Sequence, residues 1–182
     1  MAYFINKFKG CIKNYVMGYN HEKYWSRREK IFDNRTNRVL RMYYQLYIRY
    51  INLKQNADIN FYTNSDKNNF LGRPICPHGL NGIVIAGGAI IGKNCFLSHQ
   101  VTIGRSQGLA PVIGDNVYIG PGAKIFGGIH IGNNVRIGAN CVVFEDIDEN
   151  TTVVLQKPRK IVKPKDYNYY VFKIDERINH NE

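Results

Sequence analysis

Aliphatic side chains recur every six residues along the chain from Gly82 to about Val154. A first run places them at Ile85, Ile91, Leu97 and Ile103, and a second at Ile113, Ile119, Ile125, Ile131, Ile137 and Val143. Four residues after most of these anchors comes a small or branched side chain: Ala89, Cys95, Val101, Val117, Ala123, Ile129, Val135 and Cys141. A period of six fits neither the 3.6-residue repeat of a helix nor the plain alternation of a strand. It suits a parallel coil in which three short strands make the sides of a triangular prism. Each side then sends one anchor inward, and Gly or Asn turns the corners. Eighteen residues complete a turn of the coil, and each turn leaves its apolar interior open until the next one covers it. The fold class expected is mainly β, a hexapeptide-repeat parallel β-helix.

One irregularity breaks the run. Ile103 and Ile113 are ten residues apart, so Gly104 to Pro111 carries four extra residues and must bulge from a corner. Loops that project from a rigid scaffold are where function collects.

Helical patterns flank the coil. Phe4, Phe8, Cys11, Ile12, Tyr15 and Tyr19 share a face in residues 4–19, with Lys7, Lys9 and Lys13 elsewhere, which predicts an amphipathic helix. Two uses fit that helix: packing on a neighbouring helix or subunit, or contact with an anionic membrane surface. A longer helix is expected from about Glu22 to Leu53, broken near Asp33 and Asn34, with Val39, Tyr43, Leu46, Tyr50 and Leu53 as its apolar side. It would cap the first turn of the coil. Beyond the coil, Tyr167, Tyr170, Val171, Ile174 and Ile178 predict a short helix over its open end. The chain therefore divides into an N-terminal helical segment (1–56), the coil (57–156) and a basic C-terminal tail with a helix (157–182).

The formal charge is +11 over 182 residues, unevenly spread. Residues 1–60 hold 12 Lys or Arg against 4 acids, residues 61–155 hold 6 against 6, and residues 156–182 hold 7 against 4. A neutral coil between basic ends argues against a nucleic-acid groove along the prism and places any anionic partner at the termini. The four cysteines form no CxxC pair, and two sit at inward positions, as expected of a reduced cytoplasmic protein, free or at the inner face of the membrane. No apolar run approaches the ~20 residues of a membrane span.

Three stretches carry a resemblance: Pro77-His78-Gly79-Leu80-Asn81-Gly82-Ile83-Val84-Ile85, Ile91-Gly92-Lys93-Asn94, and His99-Gln100-Val101-Thr102-Ile103-Gly104. In this order they resemble the serine acetyltransferase family of hexapeptide-repeat acyltransferases, and within it most the branch of colanic-acid and capsular polysaccharide O-acetyltransferases. The similarity runs from about Asp58 to Val162. It implies a left-handed coil, a homotrimer with its sites in grooves between coils, and acetyl transfer from acetyl-CoA to a hydroxyl without a metal. It also implies that His78 is the general base and Asp58 the group that orients it. An alcohol is a poor nucleophile at neutral pH, so an imidazole must take its proton as the oxygen attacks the thioester carbonyl. The resemblance places CoA along Gly120, Pro121 and Ala139, with Lys157, Arg159 and Lys160 near its phosphates.

Three departures bear on the acceptor. Pro77 stands where the family has an aspartate that helps hold serine. The bulge carries Arg105 but no His, where the family has a basic, His-containing loop. Leu155 to Ile161 lacks the Gly-x-Pro-Ala turn but keeps Pro158. On the first two, a neutral saccharide is the expected acceptor, with His99 and Arg105 contacting it, in surface polysaccharide synthesis. Serine acetylation for cysteine synthesis is the alternative within the same chemistry. His130 alternates between inward Ile129 and Ile131 and so points outward, while His21 and His180 lie in terminal segments. A coil-borne zinc enzyme would need three converging histidines, which this spacing does not offer, and a purely structural trimeric scaffold would bind no acetyl-CoA.

Overall fold

The computed structural model describes residues 18–60, 69–157 and 159–164. The amphipathic segment at residues 4–17 and the helix expected near Tyr167 to Ile178 lie outside them. Twelve short strands are found among the described residues: β1 (Asp58–Ile59), β2 (Val84–Ile85), β3 (Ile90–Ile91), β4 (Phe96–Leu97), β5 (Thr102–Gly104), β6 (Val112–Ile113), β7 (Tyr118–Ile119), β8 (Lys124–Phe126), β9 (His130–Ile131), β10 (Arg136–Ile137), β11 (Val142–Val143) and β12 (Thr152–Val153). Every third strand shares a face. The first face stacks β1-β2-β5-β8-β11, the second β3-β6-β9 and the third β4-β7-β10-β12, with all pairs parallel. This is the parallel β-helix that the six-residue period calls for, and its hexapeptide repeats are consistent with the left-handed form that the resemblance implies.

The register follows the anchors. Ile85 lies against Ile103, Ile103 against Ile125 and Ile125 against Val143 on the first face, while Leu97, Ile119 and Ile137 align on the third. All of these are buried, as is every small or branched partner, including Cys95 and Cys141. The corner between the second and third faces is turned by Asn94, Asn116, Asn134 and Asn150, with φ of 55°, 58°, 58° and 60°. Asn tolerates this left-handed backbone because its short amide can bond locally. Here each amide also donates to the next Asn, at 2.8, 3.2 and 3.0 Å, so the four form a ladder down the edge.

Two helices cap the first turn. Asn20 caps α1 (His21–Phe32) by accepting from the Lys23 N–H at 2.9 Å, and Asn37 caps α2 (Arg38–Lys54) by accepting from Leu40 N–H at 2.8 Å. The break expected near Asp33 is thus a full stop and restart, because Asn37 opens a new helix. The apolar side expected for α2 is corrected. Val39, Tyr43, Leu46, Tyr50 and Leu53 are 74, 51, 58, 53 and 82% exposed, and the buried side is Tyr44, Ile48, Ile51 and Asn52. The helix is apolar on both sides, and hydroxyl and aromatic partners decide which turns inward. Tyr24 donates to Asn52 Oδ1 at 2.8 Å, and Trp25, beside Tyr24, packs edge-on against Phe70 at 4.7 Å.

Arg73, just before the first turn meets the third face, ties α1 to the coil. It donates to both carboxylate oxygens of Glu29, at 2.7 and 2.8 Å, and to Glu22 at 2.6 Å. These bonds hold the Glu29 carboxyl below its ordinary pKa. Its contribution is therefore present above the unfolded carboxylate value near ~4.3 and is lost as pH falls through the lower folded value. Because the pair is largely exposed, Arg73→Ala should cost at most about 1 kcal/mol at neutral pH. That cost should vanish in the acid range, which denaturant melts at pH 7 and pH 3 would check. By contrast, Ile119→Ala, which empties a fully buried slot, should cost about 2–5 kcal/mol at either pH.

Candidate active site

The site forms where the chain crosses from the third face to the first. An isolated bridge pairs Ile75 with Phe96, which places Cys76 in the inward slot next to Leu97. From Cys76 the chain takes nine residues to reach Ile85 instead of the usual six, and the excess forms an enlarged turn at 77–82. The first residue after α2 braces that turn. Gln55 accepts from Leu80 N–H through Oε1 at 3.2 Å and from Gly82 N–H through its backbone carbonyl at 3.1 Å. Gly79 has φ of +71°, and a Cβ there would stand 2.6 Å from Gln55 Oε1, so a larger residue would have to displace the bracing amide.

His78 projects from this turn. Since the bridge puts each residue 21 positions before its neighbour in the next turn of the coil, His78 stacks on His99, two residues past Leu97. Their rings meet edge to face with centroids 5.2 Å apart and planes at 88°. His78 is exposed and His99 half-buried. The nearby Cys76 thiol is not a competing nucleophile, because burial pushes it up to about 12 and keeps it protonated.

The same register continues the column. Leu97, Ile119 and Ile137 align on the third face, so the residues two beyond them, His99, Pro121 and Ala139, lie one above another on a single edge. Their carbonyls and amides differ in use. The carbonyls of His99 and Pro121 accept from Gly122 N–H and Asn140 N–H at 3.1 and 2.9 Å. The N–H at this corner position has no protein acceptor among the described residues at Ala139, and at the matching position of the preceding turn a proline is accommodated. Gly120 lets the edge close tightly, since a Cβ there would lie 2.8 Å from Ala139 N. The three residues expected to line CoA are thus on one edge with both histidines, and one of them presents an unused donor.

Other expected residues are placed elsewhere. Asp58 is exposed on β1 and lines a cavity of about 500 Å³ with Arg49, Asn52 and Leu53 of α2. No hydrogen bond or ion pair joins it to His78 among the described residues. Arg105 stands at the far end of β5 from His99, in the bulge at the corner between the first and second faces. There it donates to Gly108 O at 2.8 Å, closing a hairpin in which Ser106 and Leu109 pair. Lys157, Arg159 and Lys160 are exposed in the segment that follows β12, just beyond the end of the column. His130 is outward on the second face, and no group of three His, Cys, Asp or Glu side chains is placed to hold a metal among the described residues. Two neighbours of the site were missed from sequence. Gln55 gave no signal because its role depends on a long-range contact. Lys124, which donates to Gln100 O at 2.8 Å beside His99, was readable as the outward residue before anchor Ile125.

Residues 110–145 match the bacterial transferase hexapeptide (six repeats) family. Over that stretch the chain is similar to the hexapeptide-repeat transferases. It is 44% identical over 81 residues to the serine acetyltransferase of Synechococcus elongatus, covering 42% of this chain and 33% of that protein. It superposes on Entamoeba histolytica serine acetyltransferase isoform 3, solved in complex with cysteine, with a TM-score of 0.57 and 35% identity over 68% of this chain and 44% of that one. A serine acetyltransferase solved in complex with CoA aligns with a TM-score of 0.51 and 27% identity, over 62% of this chain and 44% of that one. The chain spans between a third and about half of the curated relatives it matches.

These relatives overturn the expected capsular-polysaccharide branch and its saccharide acceptor, since they are named serine acetyltransferases. The His-free bulge, expected to contact the acceptor, stands within one chain on a different edge from His78 and His99.

Ala139→Pro tests the edge. Gly138 precedes Ala139 as Gly120 precedes Pro121, so the fold should tolerate the change. Melting should shift little, while loss of the free N–H should weaken CoA binding about five- to fifteenfold, the value of one hydrogen bond of ~1–1.5 kcal/mol, in calorimetric titration.

Proposed function

We propose that this chain transfers the acetyl group of acetyl-CoA to the hydroxyl of L-serine, with His78 as the general base. The observation that carries the reading is the pair of stacked imidazoles, His78 on His99, at the head of an edge that continues through Pro121 and Ala139. The serine acetyltransferase relatives, one of them holding CoA, support the donor and the acceptor.

In this mechanism His78 takes the hydroxyl proton as the serine oxygen attacks the thioester carbonyl carbon. The tetrahedral oxyanion collapses, the C–S bond breaks, and the imidazolium returns the proton to the departing thiolate. Oxyanion stabilisation falls to donors at the corner, where backbone amides cost no reorganisation. His99, at right angles to His78, holds the base in place and contacts the acceptor. In one chain it is His99 and the Gln55-braced turn that position His78, while Asp58 faces the α2 cavity. CoA lies along Gly120, Pro121 and Ala139 with Lys157, Arg159 and Lys160 toward its phosphates. A homotrimer with grooves between coils is the assembly this reading implies.

Thiol release from acetyl-CoA with L-serine tests it. His78→Ala should lower kcat roughly 10²- to 10⁴-fold. His99→Ala should lower it less and raise KM for the acceptor. Wild-type turnover by His78→Ala would remove the base from the account, and thiol release driven by other hydroxyl compounds but not by serine would remove the acceptor.

A further inference from the structure

Among the described residues no other helix or strand covers the outward side of α2. On a helical projection, Val39, Met42, Tyr43, Leu46, Tyr50 and Leu53 form one stripe centred about 180° from the buried Tyr44, Ile48 and Ile51. All six are more than half exposed. The stripe runs along about 21 Å of helix. An exposed apolar patch of this continuity marks an interaction surface.

Charge selects the partner. The 17 residues of α2 contain no Asp or Glu and four cations, Arg38, Arg41, Arg49 and Lys54. Arg38 and Arg49 border one margin of the stripe and Lys54 the other, with its ammonium 5.1 Å from the Tyr50 ring. Along the sequence, residues 1–60 carry 12 basic against 4 acidic side chains. Two copies of this surface face to face would set like charges against each other, since α2 carries no acid. An anionic bilayer satisfies both properties at once: acyl chains receive the aliphatic stripe, tyrosines suit the interface, and phosphates meet the flanking Arg and Lys. No described helix is long and apolar enough to cross a membrane, so contact of this kind is in the surface plane.

We propose that the outward face of α2 docks the protein on anionic lipid bilayers. Docking would hold the first turn of the coil beside the bilayer, with the His78 turn next to it, since Gln55, which braces that turn, directly follows α2.

Co-sedimentation with vesicles tests this on the full chain. The protein should bind vesicles of mixed phosphatidylglycerol and phosphatidylcholine, bind pure phosphatidylcholine vesicles poorly, and detach as salt rises and screens the charges. The double variant Leu46→Glu with Leu53→Glu should weaken binding by about tenfold or more, while its melting temperature and its mass by light scattering stay those of the wild type. The milder Leu53→Ser should fall between. A triple variant, Lys7→Glu, Lys9→Glu and Lys13→Glu, should leave binding strong enough for the α2 variants to weaken it further. Three results would overturn the proposal: no binding by the wild type, undiminished binding by both α2 variants, or a smaller assembly in the α2 variants, which would make the stripe a contact between copies.

Discussion

Everything in this structure depends on parallel stacking in register. An anchor such as Ile119 is buried only because Leu97 lies on one side of it and Ile137 on the other, so no turn of the coil is stable alone. The interior supplies the driving force, but it is indifferent to small sliding. Register is fixed by backbone bonds between strands and by the corners, where the ladder of Asn94, Asn116, Asn134 and Asn150 allows each amide one neighbour. Insertions can therefore occur only outside the prism, as the bulge at 104–111 and the enlarged turn at 77–82 both do.

This constraint is also what makes a site. His78 and His99 are 21 residues apart, and neither local turn chemistry nor helix geometry would bring them together. The pairing of Ile75 with Phe96 does so, and the same alignment sets Pro121 and Ala139 on the edge below. The coil acts as a ruler that turns distant positions into a column of side chains, and the His78 turn is then clamped at one end by Gln55.

Much of this was legible in the sequence. The six-residue period disclosed the coil, its inward residues and the corner positions, because burial in this fold repeats with an unusual and unambiguous period. Pro121, Ala139 and His99 could be placed on the corner by counting alone. What counting could not supply was contact across an irregular segment. The length of the turn after Cys76 hid whether His99 reaches His78, and the long stretch before it hid that Asp58 faces α2. Two further misreadings have simple physical causes. The inward side of α2 was mistaken because both sides are apolar, and periodicity cannot tell which is buried. The acceptor was mistaken because two local departures, Pro77 and the His-free bulge, were weighed above the overall likeness to serine acetyltransferases.

The central claim is that one edge of the coil, from His78 and His99 to Ala139, is where CoA and the acceptor meet. A crystal structure with CoA bound tests it most directly. The account predicts the thiol beside the two imidazole rings, the pantetheine arm along Pro121 with a carbonyl accepting from Ala139 N–H, and the phosphates toward Lys157, Arg159 and Lys160. CoA seated on either of the other edges, with its thiol remote from His78, would contradict it.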